Sequence, residues 1–128
     1  MKEIMAFLRP NMISATKKAL ANGGFPAFTC RPCLGRGKQM GISAELFGDI
    51  LSAEELPGDR LGETLSERNR LVAKRFFTLI VNDEDVKKAA DIIIRANQTG
   101  NPGDGKIFVL PIAETYIVRN GERSAEAY

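Results

Sequence analysis

Two stretches of this sequence each contain a short apolar run, an amphipathic segment and a second apolar run, and this alternation constrains the fold most. In the first stretch, residues 2–9 and 25–34 are apolar runs with the length of strands. The segment between them has partial helical spacing, with Ser14 as its predicted N-cap and Gly23-Gly24 as its stop. The first stretch is therefore predicted to form a β-α-β unit.

The second stretch repeats this order. Residues 75–81 and 106–112 are short, apolar and predicted to be strands. Between them, Asp83 is the predicted cap of a helix whose apolar face contains Val86, Ala89, Ala90, Ile93 and Ile94. Residues 115–119 are predicted to form a short last strand, and residues 120–128 a turn and a polar C-terminal tail.

Two β-α-β units of this size predict an α+β fold, a ferredoxin-like βαββαβ sandwich with two helices on one face of a four-stranded antiparallel sheet. The length of 128 residues predicts a single domain over residues 1–128. No remaining element covers the other face of the sheet, whose residues include Phe, Ile and Val. We therefore expect other subunits to bury that face.

A polar segment of about 40 residues, from Gly35 to Ala73, separates the two units. It is rich in glycine and charge and has no sustained apolar stripe. Such a segment inside a compact domain is either functional or partly disordered.

Composition excludes several classes of function. A net charge of +2 is too small to indicate nucleic acid as the main partner. The chain has no histidine, which rules out a Ser-His triad and a His-based zinc site. No apolar run approaches the roughly 20 residues that span a bilayer, and the N-terminus lacks the pattern of a signal peptide. A cytoplasmic location is predicted.

The two cysteines, Cys30 and Cys33, form a lone C-x-x-C. One interpretation is a redox pair or half of a zinc site. A redox pair usually opens a helix, whereas this one ends a predicted strand, where residues three apart point to opposite faces. Two unrelated thiols are the favoured interpretation.

A glycine-rich stretch, TGNPGDGK at residues 99–106, lies directly before the predicted strand 106–112. One interpretation is a helix stop followed by a tight turn. The other is a loop whose glycines let backbone amides reach a phosphate while Lys106 adds charge. It is not a P-loop, because Ile107 follows the lysine and a strand follows the loop.

The stretch resembles the C-terminal signature of the PII family of nitrogen signal-transduction proteins in Thr99, Gly103, Asp104, Gly105, Lys106, Ile107, Phe108 and Val109. The segments KEIMAFLRP, KKALANGGFPAFT, DIIIRANQTG and IVRNGE extend the resemblance over nearly the whole chain. The resemblance implies a non-enzymatic, ferredoxin-like homotrimer or pseudo-trimer. It also implies ATP or ADP between subunits, with 2-oxoglutarate bound beside the triphosphate through Mg²⁺.

The resemblance further implies roles for particular residues. Nucleotide binding falls to Thr29, Gly35, Lys38, Ile80, Gly103, Asp104, Gly105, Lys106 and Arg119. Binding of 2-oxoglutarate falls to Gly37, Lys38, Gln39, Met40, Gly41 and Lys74, with Gln39 as the Mg²⁺ ligand. Judged without the resemblance, Lys74 is equally well explained as a solvated charge at the start of a strand.

The chain departs from the family pattern in two respects. The flexible T-loop, residues 36–73, is longer than usual and contains no tyrosine; Phe47 lies where a modification tyrosine is expected, so uridylylation is not expected. Of two arginines usual on the last strand, only Arg119 is present, and Ile117 replaces the other. This replacement puts ATP affinity in doubt unless a neighbouring, different subunit compensates.

The long loop without tyrosine, together with GRGKQ and GDGKIFVLPI, resembles the nitrogenase-associated branch, in which paralogues occur in pairs. That resemblance implies inhibition of the dinitrogenase component when fixed nitrogen is plentiful, in a homotrimer or a hetero-oligomer with a paralogous PII protein. The loop's apolar residues form either a docking patch or local packing: Phe47, Ile50, Leu51 and Leu56. The alternatives are a PII protein that regulates glutamine synthetase or an ammonium transporter, an enzyme on the same sandwich and, more weakly, RNA binding by the sheet.

Overall fold

The computed structural model describes residues 1–37 and 71–127. Its strands and helices are β1 (Lys2–Leu8), α1 (Ile13–Asn22), β2 (Thr29–Gly35), β3 (Val72–Val81), α2 (Val86–Asn97), β4 (Lys106–Pro111), β5 (Thr115–Tyr116) and β6 (Arg123–Ser124). The first four strands form an antiparallel sheet in the order β2-β3-β1-β4, and β5 and β6 form a separate hairpin. This order confirms the predicted α+β, ferredoxin-like fold. Within the described ranges, no helix is long and apolar enough to cross a membrane.

Alternation along the central strands defines the core. Ile4 and Ala6 of β1 lie opposite Leu79 and Phe77 of β3, and all four side chains are buried. Leu20 of α1 and Ala89 and Ile93 of α2 pack onto the same cluster. Each large apolar side chain buried in this way stabilises the fold by roughly 1.5–3 kcal/mol.

A buried polar contact joins the two helices. Asn97 donates from Nδ2 to Oγ1 of Thr16 at 2.9 Å and to the carbonyl of Ile93 at 2.8 Å. Thr16 in turn donates to the carbonyl of Met12 at 2.8 Å. Both Thr16 and Asn97 are buried, so these bonds replace the hydration that the Thr16 hydroxyl and the Asn97 Nδ2 lose on folding.

Two predicted strands have different starting points in the structure. β2 begins at Thr29 rather than at residue 25, because Phe25 is buried in the core and its amide donates to the carbonyl of Leu20. β3 begins at Val72 rather than at residue 75, because it pairs with β2 as far as Gly35.

The predicted helix caps are wrong. A 3₁₀ turn, Pro10–Met12, precedes α1, and no side chain caps the helix, so Ser14 lies inside it. A second 3₁₀ turn, Asp83–Asp85, precedes α2. Asp83 accepts a hydrogen bond from the terminal ammonium of Met1 at 2.6 Å instead of capping the helix.

The predicted apolar face of α2 is correct at Ala89 and Ile93, which are buried, but Ile94 is 45% exposed. The last predicted strand is also shorter than expected. Only Thr115–Tyr116 is extended, because the amide of Gly121 donates to the carbonyl of Ile117 and closes a turn. The segment predicted as a tail contributes β6 to this hairpin.

The sheet face opposite the helices, called the open face below, is aromatic. Phe7 of β1 lies opposite Phe76 of β3, and their rings meet edge to face with centroids 5.4 Å apart. Phe108 of β4 lies on the other side of Phe7, with a centroid distance of 6.4 Å. Phe7 and Phe108 are 37% and 40% exposed, so no described helix covers this face.

The contact between Asn97 and Thr16 predicts that Thr16→Val destabilises the protein by about 1–2 kcal/mol, because a buried amide loses a partner. Chemical denaturation at a single protein concentration measures this change in the free energy of unfolding. Ser14→Ala, an exposed change on the same helix, is the matched control and is expected to have little effect. Equal stability of Thr16→Val and wild type would contradict the prediction.

Candidate functional site

The glycine loop, residues 99–105, connects α2 to β4. Gly100, Gly103 and Gly105 have φ values of 83°, 97° and 121°, in the region that disfavours other residues. A β-carbon on Gly105 would also collide with the carbonyl oxygen of Phe7. The loop therefore needs glycine here to pack directly on the end of β1.

The carboxylate of Asp104 organises the loop from inside. It accepts hydrogen bonds from the amide and the hydroxyl of Thr99, at 2.8 and 2.5 Å, and from the amide of Gly100 at 3.0 Å. It also pairs with the guanidinium of Arg9 at 2.5 Å. The bonds from Thr99, and then that from Arg9, hold the pKa of the Asp104 carboxyl well below its ordinary value. These four bonds direct the Asp104 carboxylate toward its own loop.

Arg9 is a residue that the sequence analysis missed. It follows the last residue of β1, and besides Asp104 it contacts the carbonyl of Pro102, to which it donates at 3.1 Å. The available signal was a cation at the end of a buried strand, directly before a proline.

Lys74 also reaches the glycine loop, although it lies on β3. Its ammonium donates to the carbonyl of Gly103 at 2.9 Å. Burial lowers the pKa of Lys74, and the charge of Arg9 lowers it further. Lys74 is therefore a partly desolvated cation that contacts the loop.

Lys106 begins β4 and lies on the open face, opposite Phe7. Its Nζ is 5.7 Å from the centroid of the Phe108 ring. Three cations thus lie around the glycine loop, from Arg9, Lys74 and Lys106, and the loop itself contains one carboxylate, that of Asp104. Together with a backbone of positive-φ glycines, they form an arrangement suited to a phosphate or carboxylate anion.

Other predicted site residues lie elsewhere in the protomer. Thr29 and Ile80 are near the opposite end of the sheet, and Ile80 is six residues along β3 from Lys74, about 20 Å for an extended strand. Arg119 is in the turn of the β5–β6 hairpin. Gly35 ends β2, two residues beyond the partner of Lys74. One protomer therefore brings together the residues predicted to bind phosphate, but it does not bring together all the residues predicted to bind the nucleotide.

Several predicted residues lie outside the described residues: Lys38, Gln39, Met40 and Gly41 of the predicted effector site, and Phe47, Ile50, Leu51 and Leu56 of the predicted docking patch. Gly37 is described and follows β2. In the described parts of the chain, no group of three or more Cys, Asp or Glu residues could hold a metal ion.

The two cysteines have different surroundings. Cys30 lies opposite Phe77 and packs against the core, while Cys33 lies opposite Lys74 on the open face. Both thiols are free. The register thus places them on opposite faces of the sheet, as predicted.

Comparison with known proteins gives consistent matches over nearly the whole chain. A family model described as nitrogen regulatory protein P-II matches residues 1–122. The nitrogen fixation nifHD region GlnB-like protein 2 of Methanothermococcus thermolithotrophicus is 42% identical over 122 residues, covering 95% of this chain and 94% of the relative. The protein of the same description from Methanococcus maripaludis is 43% identical over 129 residues, covering 99% of each. The GlnB-like protein 1 of the same region in M. thermolithotrophicus is 38% identical over 123 residues, covering 95% of this chain and 97% of the relative.

The bonds to Asp104 predict that Asp104→Asn loosens the glycine loop. The two oxygens of the carboxylate accept four hydrogen bonds, and in asparagine an NH₂ group, which only donates, replaces one of these oxygens. We expect the amides of Thr99 and Gly100 to exchange with deuterium about tenfold faster or more. Asp91→Asn, which removes a carboxylate from an exposed ion pair with Lys87, is the control and should leave these amides unchanged. Unaltered exchange in Asp104→Asn would contradict the prediction.

Proposed function

The chain belongs to the nitrogen regulatory protein P-II family, and we propose that it senses ATP or ADP and 2-oxoglutarate and controls a partner protein by docking of its T-loop. The observation that supports this most directly is the arrangement of Lys74, Lys106 and the glycine loop at one end of the sheet. The family resemblance of the sequence implies these same residues as ligands. We propose that the chain acts by binding and is not an enzyme.

For the nucleotide, we propose that Gly103, Gly105 and Lys106 hold the phosphates. The absence of a side chain at Gly105 lets the backbone approach closely, and the ammonium of Lys106 neutralises charge. Asp104 contributes by shaping the loop.

The rest of the proposed nucleotide site is Thr29, Gly35, Lys38, Ile80 and Arg119. Thr29 and Ile80 are distant from the glycine loop of their own protomer, which supports a site completed by a neighbouring subunit.

For 2-oxoglutarate, we propose that Lys74 binds a carboxylate. Its ammonium uses one donor on Gly103 and retains others for a ligand. Burial and Arg9 both disfavour its charge, so a carboxylate beside it relieves an existing electrostatic cost.

The remaining proposed ligands of 2-oxoglutarate are Gly37, Lys38, Met40 and Gly41, with Gln39 as the oxygen ligand of Mg²⁺. When bound, Mg²⁺ would link the effector to the triphosphate.

We propose that the protein assembles as a homotrimer or as a hetero-oligomer with a paralogous PII protein. The exposed aromatic residues of the open face support burial by another subunit. The edge strand β4 adds three consecutive exposed apolar residues, Phe108, Val109 and Leu110. GlnB-like proteins 1 and 2 are both named for M. thermolithotrophicus, which supports pairing of paralogues.

We propose that the partner is the dinitrogenase component of nitrogenase, inhibited in the cytoplasm when fixed nitrogen is plentiful. The support is that several relatives are named for a nitrogen fixation region. The proposed docking residues are Phe47, Ile50, Leu51 and Leu56. Glutamine synthetase and an ammonium transporter are the alternative targets.

Calorimetric titration of 2-oxoglutarate into the assembled protein tests effector binding. We expect binding only in the presence of Mg-ATP. Lys74→Met should weaken 2-oxoglutarate by about tenfold or more while it retains ATP, because a charge-assisted contact is lost. Lys106→Met should weaken ATP itself. Lys87→Met, at an exposed lysine on α2, is the control. If ATP and 2-oxoglutarate both fail to bind wild type, the proposal is wrong for this assembly.

Pull-down of the dinitrogenase component, glutamine synthetase and an ammonium transporter tests the partner. We expect dinitrogenase to be retained without effectors and released by 2-oxoglutarate with Mg-ATP. Replacing Phe47, Ile50, Leu51 and Leu56 by alanine should abolish retention, whereas Lys87→Ala should not. Retention of a different target, or retention by the alanine variant, would refute this choice of partner or of docking residues.

A further inference from the structure

Arg9 follows a buried part of the fold. It follows Leu8, which is 2% exposed in the core at the end of the central strand. Its backbone is extended, as expected before Pro10, and its carbonyl accepts the amide of Met12 at 3.1 Å. The side chain therefore starts from a fixed point beside the glycine loop.

The guanidinium holds the loop at two points. One nitrogen pairs with the Asp104 carboxylate at 2.5 Å, and the other donates to the carbonyl of Pro102 at 3.1 Å. These points lie on either side of Gly103. The planar fork of arginine suits such a two-point contact, because its two terminal nitrogens are held apart in fixed positions, whereas lysine ends in a single nitrogen.

The contact with Pro102 also orients a backbone amide. No peptide bond of the described chain is cis, and in a trans peptide the carbonyl and the amide point in opposite directions. Because the Pro102 carbonyl faces Arg9, the amide of Gly103 faces away from it. The ammonium of Lys74 donates to the next carbonyl, that of Gly103, at 2.9 Å. The loop is thus held by two cations, one following β1 and one from β3.

We propose that Arg9 is a positioning residue of the nucleotide site, which fixes the glycine loop through Asp104 and Pro102 so that the Gly103 amide is presented to the phosphates. This inference rests on the proposed function, namely nucleotide binding at the glycine loop. Arg9 acts through the loop, and its own nitrogens stay on Asp104 and Pro102 rather than on the nucleotide. A loop fixed in advance binds without the entropic cost of ordering.

Calorimetry of Mg-ATP binding to the assembled protein tests this, with Arg9→Met, Arg9→Lys, Asp104→Asn and the double variant Arg9→Met/Asp104→Asn. We expect Arg9→Met to weaken ATP by about tenfold or more. The double variant should be no weaker than the weaker single variant, because both changes release the same tie. Arg95→Met, at an exposed arginine on α2, is the control and should bind as wild type does.

Two readouts separate positioning from direct contact. If Arg9 touched the nucleotide, the losses from Arg9→Met and Asp104→Asn would add, and Arg9→Lys would keep most of the affinity through its charge. We instead expect Arg9→Lys to lose affinity as well, because lysine lacks the two separate nitrogens, Nη1 and Nη2, that reach Asp104 and Pro102. If Arg9→Met does not fold, Arg9→Lys decides by this criterion.

The outcomes also separate this inference from the proposed function. Failure of wild type to bind ATP would contradict the proposed function itself. Normal ATP binding by wild type and Arg9→Lys alike, or additive losses in the double variant, would overturn the role of Arg9 and leave the proposed function standing. A fall in melting temperature without a loss of ATP affinity would show that Arg9 only stabilises the fold.

Discussion

The pairing of β1 with both β3 and β4 is the constraint on which the rest of this structure depends. The antiparallel register brings the end of β1, the early part of β3 and the start of β4 to the same end of the sheet. Arg9, Lys74 and the glycine loop meet there although they are far apart in sequence. The same alternation that buries Ile4 and Ala6 under the helices leaves Phe7 and Phe108 on the open face. Site and proposed assembly surface therefore follow from a single register.

Positive charge is in excess around the glycine loop at this end of the sheet. The carboxylate of Asp104 already accepts hydrogen bonds from its own loop, and the cations of Arg9, Lys74 and Lys106 lie around that loop. Burial and the nearby charge of Arg9 lower the pKa of Lys74. An anion at this end of the sheet would offset the repulsion, which gives the proposed phosphate or carboxylate site a physical basis independent of sequence similarity.

The order of elements could be predicted from the sequence, because each apolar run has the length of a strand and each amphipathic segment has the spacing of a helix that packs on the sheet. Sequence reasoning placed the helix starts wrongly, since Ser14 and Asp83 look like caps and only the fold shows that 3₁₀ turns come first. It missed Arg9, whose partner Asp104 is 95 residues away and is brought near only by strand register. The motif predicts that Asp104 takes part in nucleotide binding, but it does not show that the carboxylate accepts bonds from its own loop. The distance of Thr29 from the glycine loop also could not be predicted, because it depends on the register between β2 and β3.

The close packing of Gly105 on the carbonyl of Phe7 has a consequence for evolution at this position. A side chain is excluded there by backbone sterics, so natural selection would retain glycine even in a descendant that had abandoned nucleotides altogether. The side chain of Lys106, one residue later, is placed next to the Phe108 ring and is not enclosed in this way. Under the proposed function, persistence of the lysine among descendants of a common ancestor would record retained sensing, whereas persistence of the glycine would record only retained folding.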